Sequence, residues 1–409
     1  MLSADSLFGP FNEMSNIAIR VITESEEFEQ LSTVWDSLLQ SKGEGHSIFQ
    51  THEWLSTWWR HFGEGKRLNI LLIEKEQQVI GIFPFMKTEC RIGLFKIHLL
   101  ETIASEACDY GVLIPSDSRD EEITALLVYL EEELAKGKLV LRLRYVPEGS
   151  KFLELLRRYA SLVSENLFVQ ESATTSAPYV SLPATWDEYF GSLSQNRRHT
   201  LRRKLRSLEK AHNVAYRECT ADTLEDELNK FFELHQRRWK SVNVSGVFSD
   251  PKMKEFYRDV ATQFRKKGWL HFFCLTIDNE VVSATYCFVY NRKLYCDIMA
   301  RDDRYAKYSV GHIHHMFLIK DAIDKHLLEV DFLRGEEPHK FHWTKSVRRY
   351  TQVIAIKKGI CPHLRHRFLR ILLRFHEIRQ YGLRELYPRY MIRRREERAR
   401  KKMGVGTPV

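Results

Sequence analysis

The 409-residue sequence has no C-x-x-C pair. Its seven cysteines are scattered without an even framework, which excludes a disulfide scaffold and points to a reducing compartment. No stretch approaches 18 uncharged apolar residues, so no membrane-spanning helix is expected. The opening residues, MLSADSLFGPFNEMSN, have neither a basic region nor an apolar core, and no secretory signal is expected there. A soluble, cytoplasmic protein is the resulting expectation. G-x-S-x-G, P-loop and dinucleotide fingerprints are all missing. HIHH, His312 to His315, has no further ligand at metal spacing, so no metal site is expected.

An excess of one charge sign is also missing from most of the chain. The net charge is +9, yet residues 363–409 hold fourteen Lys and Arg against four Glu. That leaves 49 basic and 50 acidic residues before them, so a general argument from basicity to nucleic acid fails. Within the tail, Leu364, Phe368, Ile371, Leu372, Phe375 and Ile378 recur at helical spacing among arginines. This predicts a basic amphipathic helix over part of 361–409, suited to an anionic membrane surface at the inner face, to docking on the body, or to RNA.

At 44% hydrophobic and 12% aromatic, the remaining chain can bury a large core, and its length favours two domains. It also resembles itself. Phe49 to Phe85 and Phe248 to Phe288 each read as a Phe, a polar cap, an amphipathic helix, a Gly, and two strands joined by a charged turn. Trp54 and Trp58, four apart, match Phe256 and Val260 as apolar helical faces. An internal duplication is expected, the other reading being that such units are common. Ile17–Ile22 reads as a strand and Glu26–Gln40 as a helix. Glu121–Ala135 reads as a further helix, followed by a strand at Leu139–Tyr145. Thr174–Leu182, with its two prolines, reads as the crossing between halves. The class is α/β or α+β.

Several stretches together resemble a known family. They are SQNRRHTLRRKLRSLEK (Ser194–Lys210), ELHQRRW (Glu233–Trp239) followed by Phe248, DNEVVSATYCF, YSVGHIHH and VDFLRGEEPHKFHW, with WLSTWWRHFG and VIGIFPFM in the first half. Their order is similar to the GNAT-like acetyltransferase domain of CelD-type cellulose and exopolysaccharide biosynthesis proteins. That domain is related to the FemABX peptidyltransferases, which pair two GNAT folds. The resemblance implies tandem GNAT-like domains at 17–180 and 181–360, with the tail outside it. It further implies an acyltransferase with acetyl-CoA as donor and a saccharide or other small-molecule acceptor. An aminoacyl-tRNA-dependent transferase and a non-catalytic scaffold are the alternatives.

Acyl transfer to an amine requires held phosphates, a base, and charge stabilisation. For the donor phosphates the candidate is Arg304 to Ile323, where Tyr305, Ser309 and Gly311 lead a loop into a helix N-terminus. A single glycine there departs from the usual glycine-rich loop, and an ordinary helix start with Ser309 as N-cap is the other reading. Arg198, Arg202 and Arg206 share one face of a predicted helix, again for an anion or as a solvated face.

In LEVDFLRGEEPHKFHW a carboxylate interrupts an apolar run. With Val330–Arg334 as a strand, Asp331 needs a definite partner, and Arg334 lies on the opposite face. Glu337 or Asp331 is the candidate base, and Lys340 or Arg334 the candidate oxyanion contact. His339 is a weaker base candidate and a substrate contact, and Trp239 and Trp343 are expected to line the acceptor cleft. A structural ion cluster at a strand end is the competing reading.

Overall fold

A computed structural model describes residues 17–41, 46–92, 95–105, 120–137, 139–241 and 245–359. The predicted tail helix lies outside them. Among the described residues no helix is long and apolar enough to cross a membrane. The chain forms two compact units, one holding residues up to Thr175 together with the strand segment from Arg349, the other holding Ser176–Arg348. The expected division at 180/181 thus falls at 175/176, within one continuous strand, and the second unit closes at Arg348 rather than near 360.

In the first unit, β1 (Ile17–Ile22), β2 (Lys66–Lys75), β3 (Gln78–Ile92), β4 (Phe95–Thr102), β5 (Leu139–Pro147) and β12 (Val347–Lys357) lie side by side in that order. All pairings are antiparallel except β4 with β5, whose connection passes through α4 (Asp120–Ala135). A parallel pair needs such a crossover. The helix predicted over 26–40 is two, α1 (Ser25–Gln30) and α2 (Ser32–Ser41), broken at Leu31. Phe28 and Trp35 pack around His52 of α3 (His52–Phe62), whose Trp54 and Trp58 are both buried. A second cluster joins Leu126 and Leu130 of α4, Leu153 and Leu156 of α5 (Lys151–Leu162), and Phe83, Phe85, Leu141 and Val353 of the sheet.

The second unit repeats several of these moves. Its sheet runs β6 (Leu167–Ser181, from Ser176 onward), β11 (Glu329–Asp331), β10 (Lys293–Arg301), β9 (Glu280–Tyr290), β8 (Leu270–Ile277) and β7 (Val214–Glu218). Again one pair is parallel, β10 with β11, connected through α10 (Val310–Asp324). The two hairpins predicted to be related, β2–β3 and β8–β9, share fine detail. Each closes on two residues in the left-handed region, Glu76 and Gln77 (φ 50° and 66°) in one, Asp278 and Asn279 (φ 50° and 67°) in the other. Such turns match the twist of a hairpin. Each also carries a register shift at the same distance from its turn, between Ile73 and Glu74 and between Leu275 and Thr276.

Two helices, α6 (Trp186–Ser192) and α7 (Gln195–Ala211), pack with α10 through Tyr189, Phe190, Leu201, Leu318 and Ile319 onto Val180, Leu294, Val330 and Phe332. A separate aromatic cluster joins Phe231 and Phe232 of α8 (Leu224–Ser241) to Phe248, Tyr257 of α9 (Pro251–Lys266), Phe272 and Tyr286.

One buried charge pair marks the first unit. On β4, Glu101 accepts from Arg142 Nε of β5 at 2.7 Å, and both are about 4% exposed. Arg144 Nε approaches the same carboxylate at 3.8 Å, but Arg142 supplies its hydrogen bond, so Arg142→Met is expected to cost about 3 kcal/mol. Urea unfolding measures this, and an unchanged midpoint would contradict it.

Candidate active site

Strand β11 is shorter than the predicted Val330–Arg334, and its ending organises the site. Asp331 Oδ1 accepts from the N–H of Leu333, two residues on, at 2.8 Å, and Leu333 turns into the left-handed region (φ 56°). The chain therefore leaves the sheet at Asp331, after Phe332 has donated once more to Pro178. The partner of Asp331 is Arg348, whose guanidinium bonds Oδ2 at 2.8 Å and also contacts Glu329, the other carboxylate on that strand face. Tyr179 lies beneath the guanidinium, 3.9 Å from its ring centre. Both oxygens of Asp331 are thus engaged in the structure, and the residue is 1% exposed.

Beyond β11, Gly335 stands at φ 109°, a conformation that side chains rarely tolerate, and donates to Ser176 O. The Glu337 carboxylate folds back over it, 2.6 Å from where a Cβ would sit. Lys340, 8% exposed, directs its ammonium at the carbonyls of Arg334 (2.8 Å), Leu333 (3.2 Å) and Gly335 (3.4 Å), and pairs with Glu337 at 2.9 Å. In the structure its protons face the loop carbonyls and Glu337. Burial pushes the Glu337 carboxyl up, but Lys340 outweighs this and leaves it below its usual value. The half-buried Arg334 contributes its carbonyl to this arrangement.

The phosphate-loop candidates separate. Tyr305 and Tyr308 pack with Leu208, Val310 and Ile313, edge-on to His212. Ser309 precedes α10 in the left-handed region without a side-chain capping bond, so the simple N-cap reading is not realised. Gly311 is needed for close approach: a Cβ there would stand 3.2 Å from the Arg301 guanidinium. Arg301 thus lies across the first turn of α10. Arg238, in the last turn of α8, is the neighbouring cation; burial lowers its pKa first, and Arg301 lowers it further. A helix N-terminus flanked by guanidiniums suits phosphate oxygens.

The arginine helix also divides. Arg198 caps α6, donating to the carbonyls of Gly191 and Leu193, and Arg202 lies over the Phe190 ring at 5.0 Å. The residue turned inward is Arg197, which was not singled out. Its guanidinium covers the Trp343 ring at 4.7 Å and donates to His312 Nδ1 at 3.0 Å. Arg197 precedes Leu201 and Leu208 on the buried stripe by four and eleven residues, and that spacing was the available signal.

Four histidines gather at this end of α10. The His312 and His342 rings stack at 5.0 Å, and those of His315 and His339 at 6.0 Å. Because a guanidinium only donates, His312 carries its proton on Nε2. His315 Nδ1 donates to Gly311 O at 3.0 Å, which leaves its Nε2 bare. Desolvation first, then Arg197, pushes His312 down to about 3. His339 is exposed. The surrounding protein pushes it down to about 4, with Glu337 opposing and Lys340 and Arg301 assisting. These imidazoles are neutral near pH 7. Trp343 is 2% exposed, whereas Trp239 turns to His235, donating to its Nε2 at 2.9 Å. Among the described residues no group of His, Cys, Asp and Glu could hold a metal ion.

Strand β10 completes the setting. Its pairing with β11 ends at Tyr295–Asp331, where β11 itself stops, and β10 runs on to Arg301 beyond that end. Asp297 is the extra residue of a bulge against β9 and accepts from Tyr257 OH at 2.8 Å. Sequence reasoning missed it, although a carboxylate within the apolar run LYCDIMA is the same kind of signal as Asp331.

Residues 195–341 match the family model described as an acetyltransferase (GNAT) domain. That stretch is similar to a GNAT domain in sequence. Among solved structures, FemX superposes with a TM-score of 0.55 at 10% identity, covering 83% of this chain and 97% of that one. The C-terminal domain of a putative lysylphosphatidylglycerol synthetase from Agrobacterium fabrum gives 0.48 at 9%, covering 85% and 97%. A tandem GNAT protein from the clavulanic acid biosynthesis pathway gives 0.39 at 10%, covering 84% and 99%. At such identity the FemX superposition shows a shared fold. No curated protein matches the sequence.

Two outcomes are expected. Gly335→Ala forces an unfavourable φ and displaces the Glu337 carboxylate, costing about 1–3 kcal/mol, while Asp331→Asn costs about 3 kcal/mol. Urea midpoints unchanged from the parent would refute both. Neutral His312 and His339 also set a pH dependence. Below about pH 6.5 the unfolded chain binds protons that the folded rings refuse, so stability falls as pH drops from about 6.5 towards 4. Replacing His312 by Asn should flatten that slope, and an unchanged slope would count against its burial as neutral.

Proposed function

We propose that this protein is an acyltransferase that moves an acetyl or related acyl group from acyl-CoA to an amine or hydroxyl of a sugar or cell-envelope precursor. Cellulose or exopolysaccharide assembly is the setting that its CelD-like motifs suggest. One observation carries the reading: within the GNAT match over 195–341, β10 runs on past the end of β11 and Arg301 at its end lies against the N-terminal turn of α10. The first turn of α10, Arg301 and Arg238 would hold the CoA phosphates. Bound acyl-CoA supplies an activated thioester carbonyl.

His339 is the base. It is neutral at working pH and exposed, and Glu337 beside it balances the charge that forms when it takes the acceptor proton. Trp343 and Arg197 form the adjoining wall. The basic tail would bring this cytoplasmic enzyme to an anionic membrane face. Arg202, Arg203 and Arg206, exposed along α7, suit a polyanion and support a second reading in which aminoacyl-tRNA is the donor.

Calorimetry with CoA, acetyl-CoA and tRNA separates the donors, and thiol release reports turnover. CoA binding is expected, with Arg301→Ala weakening it about tenfold and His339→Ala lowering kcat about 100-fold at unchanged CoA affinity. With its pKa near 4, His339 places the acid limb of kcat/KM below about pH 5. Binding of tRNA without CoA would replace this reading with the second, and binding of neither would leave a scaffold.

A further inference from the structure

A cavity of about 890 Å³ opens at the head of α7, within the size range of small-molecule sites. Arg197, Ser194, Trp343, Phe341 and Lys345 line it, and Glu188 is its one carboxylate. Three observations bear on what it takes. Among the described residues no carboxylate pairs with Arg197, and its Nε is buried without a hydrogen-bond partner. The indole N–H of Trp343, 2% exposed, is likewise without a partner. The cavity also lies at the opening turn of a 17-residue helix, where backbone N–H groups lack intrahelical acceptors. A half-buried guanidinium without a counter-ion is costly, and an arriving oxyanion would relieve that cost. Aromatic rings beside it suit the apolar face of a sugar.

Arg197 also reaches the catalytic cluster. Its guanidinium donates to His312, which stacks on His342 of the cavity wall. The cavity and the first turn of α10 therefore share one wall. We propose that this cavity is the acceptor pocket, and that it takes a saccharide bearing a carboxylate or a phosphate, with the oxyanion held by Arg197 at the head of α7. That the ligand is the acceptor rests on the acyl-transfer reading; that the cavity binds an anionic sugar does not.

The full chain is titrated calorimetrically at low salt with glucuronate, glucose 1-phosphate and glucose, and again in the presence of acetyl-CoA. Glucuronate or glucose 1-phosphate is expected to bind at least tenfold more tightly than glucose, and their order identifies carboxylate or phosphate as the preferred group. Arg197→Ala should abolish that preference while acetyl-CoA affinity is retained, and Arg197→Lys should restore part of it. Should Arg197→Ala fail to fold, Lys345→Glu on the exposed rim is the alternative, expected to weaken the anionic sugars several-fold without affecting glucose. Equal binding of all three sugars, or anionic binding that survives both Arg197→Ala and Lys345→Glu, overturns the assignment. Anionic sugars that bind here without thiol release from acetyl-CoA leave the pocket standing and remove the acyl-transfer reading. Acyl transfer to glucose as fast as to glucuronate does the reverse.

Discussion

The contact between Arg348 and the two carboxylates of β11 fixes most of what matters in the second unit. Glu329 and Asp331 project from the same strand face, and one guanidinium bridges both. Asp331 spends its remaining oxygen on the Leu333 amide, which ends the strand and sends the chain through a left-handed residue. Gly335, Glu337 and Lys340 then lock the exit loop. Only with that loop in place do His339, His342 and Trp343 stand against α10. A buried pair of this kind adds little net stability against an apolar replacement, but it is specific about where a strand stops.

The site that results separates structural charge from chemical charge. Asp331 is held by Arg348 and the Leu333 amide, and Glu337 and Lys340 hold each other, with Lys340 also bound to the loop carbonyls. Burial lowers the pKa of Arg238 and Arg197, while Arg301, paired with Asp303, lies against the first turn of α10. Between these groups sit imidazoles kept neutral by desolvation and by neighbouring cations. Such surroundings favour anions and keep the imidazoles in their unprotonated form, with Glu337 the one neighbour that favours protonation of His339.

Local patterns revealed a good deal. Ile17–Ile22, the paired tryptophans of α3, the hairpins and the class of fold could be read from periodicity and turn composition, since short-range sterics set them. The related hairpins agree even in the position of their register shifts. What local pattern could not supply was partnership across strands. Arg348 lies seventeen residues beyond Asp331 on a different strand, and nothing in VDFLRGEE points to it. Lys340 looked like a free cation because its acceptors are backbone carbonyls, which sequence does not advertise. The arginine helix was read by its exposed row, and the member that matters was the one continuing the apolar stripe.

The bond from Arg197 to His312 has a directional effect. A guanidinium keeps its protons throughout the range in which proteins are folded, so the ring facing it cannot exchange tautomers. Nδ1 is permanently a receiver and Nε2 permanently a giver. Together with His315, whose polarity is set the opposite way by Gly311 O, this fixes the electrical sense of two adjacent imidazoles before any ligand arrives.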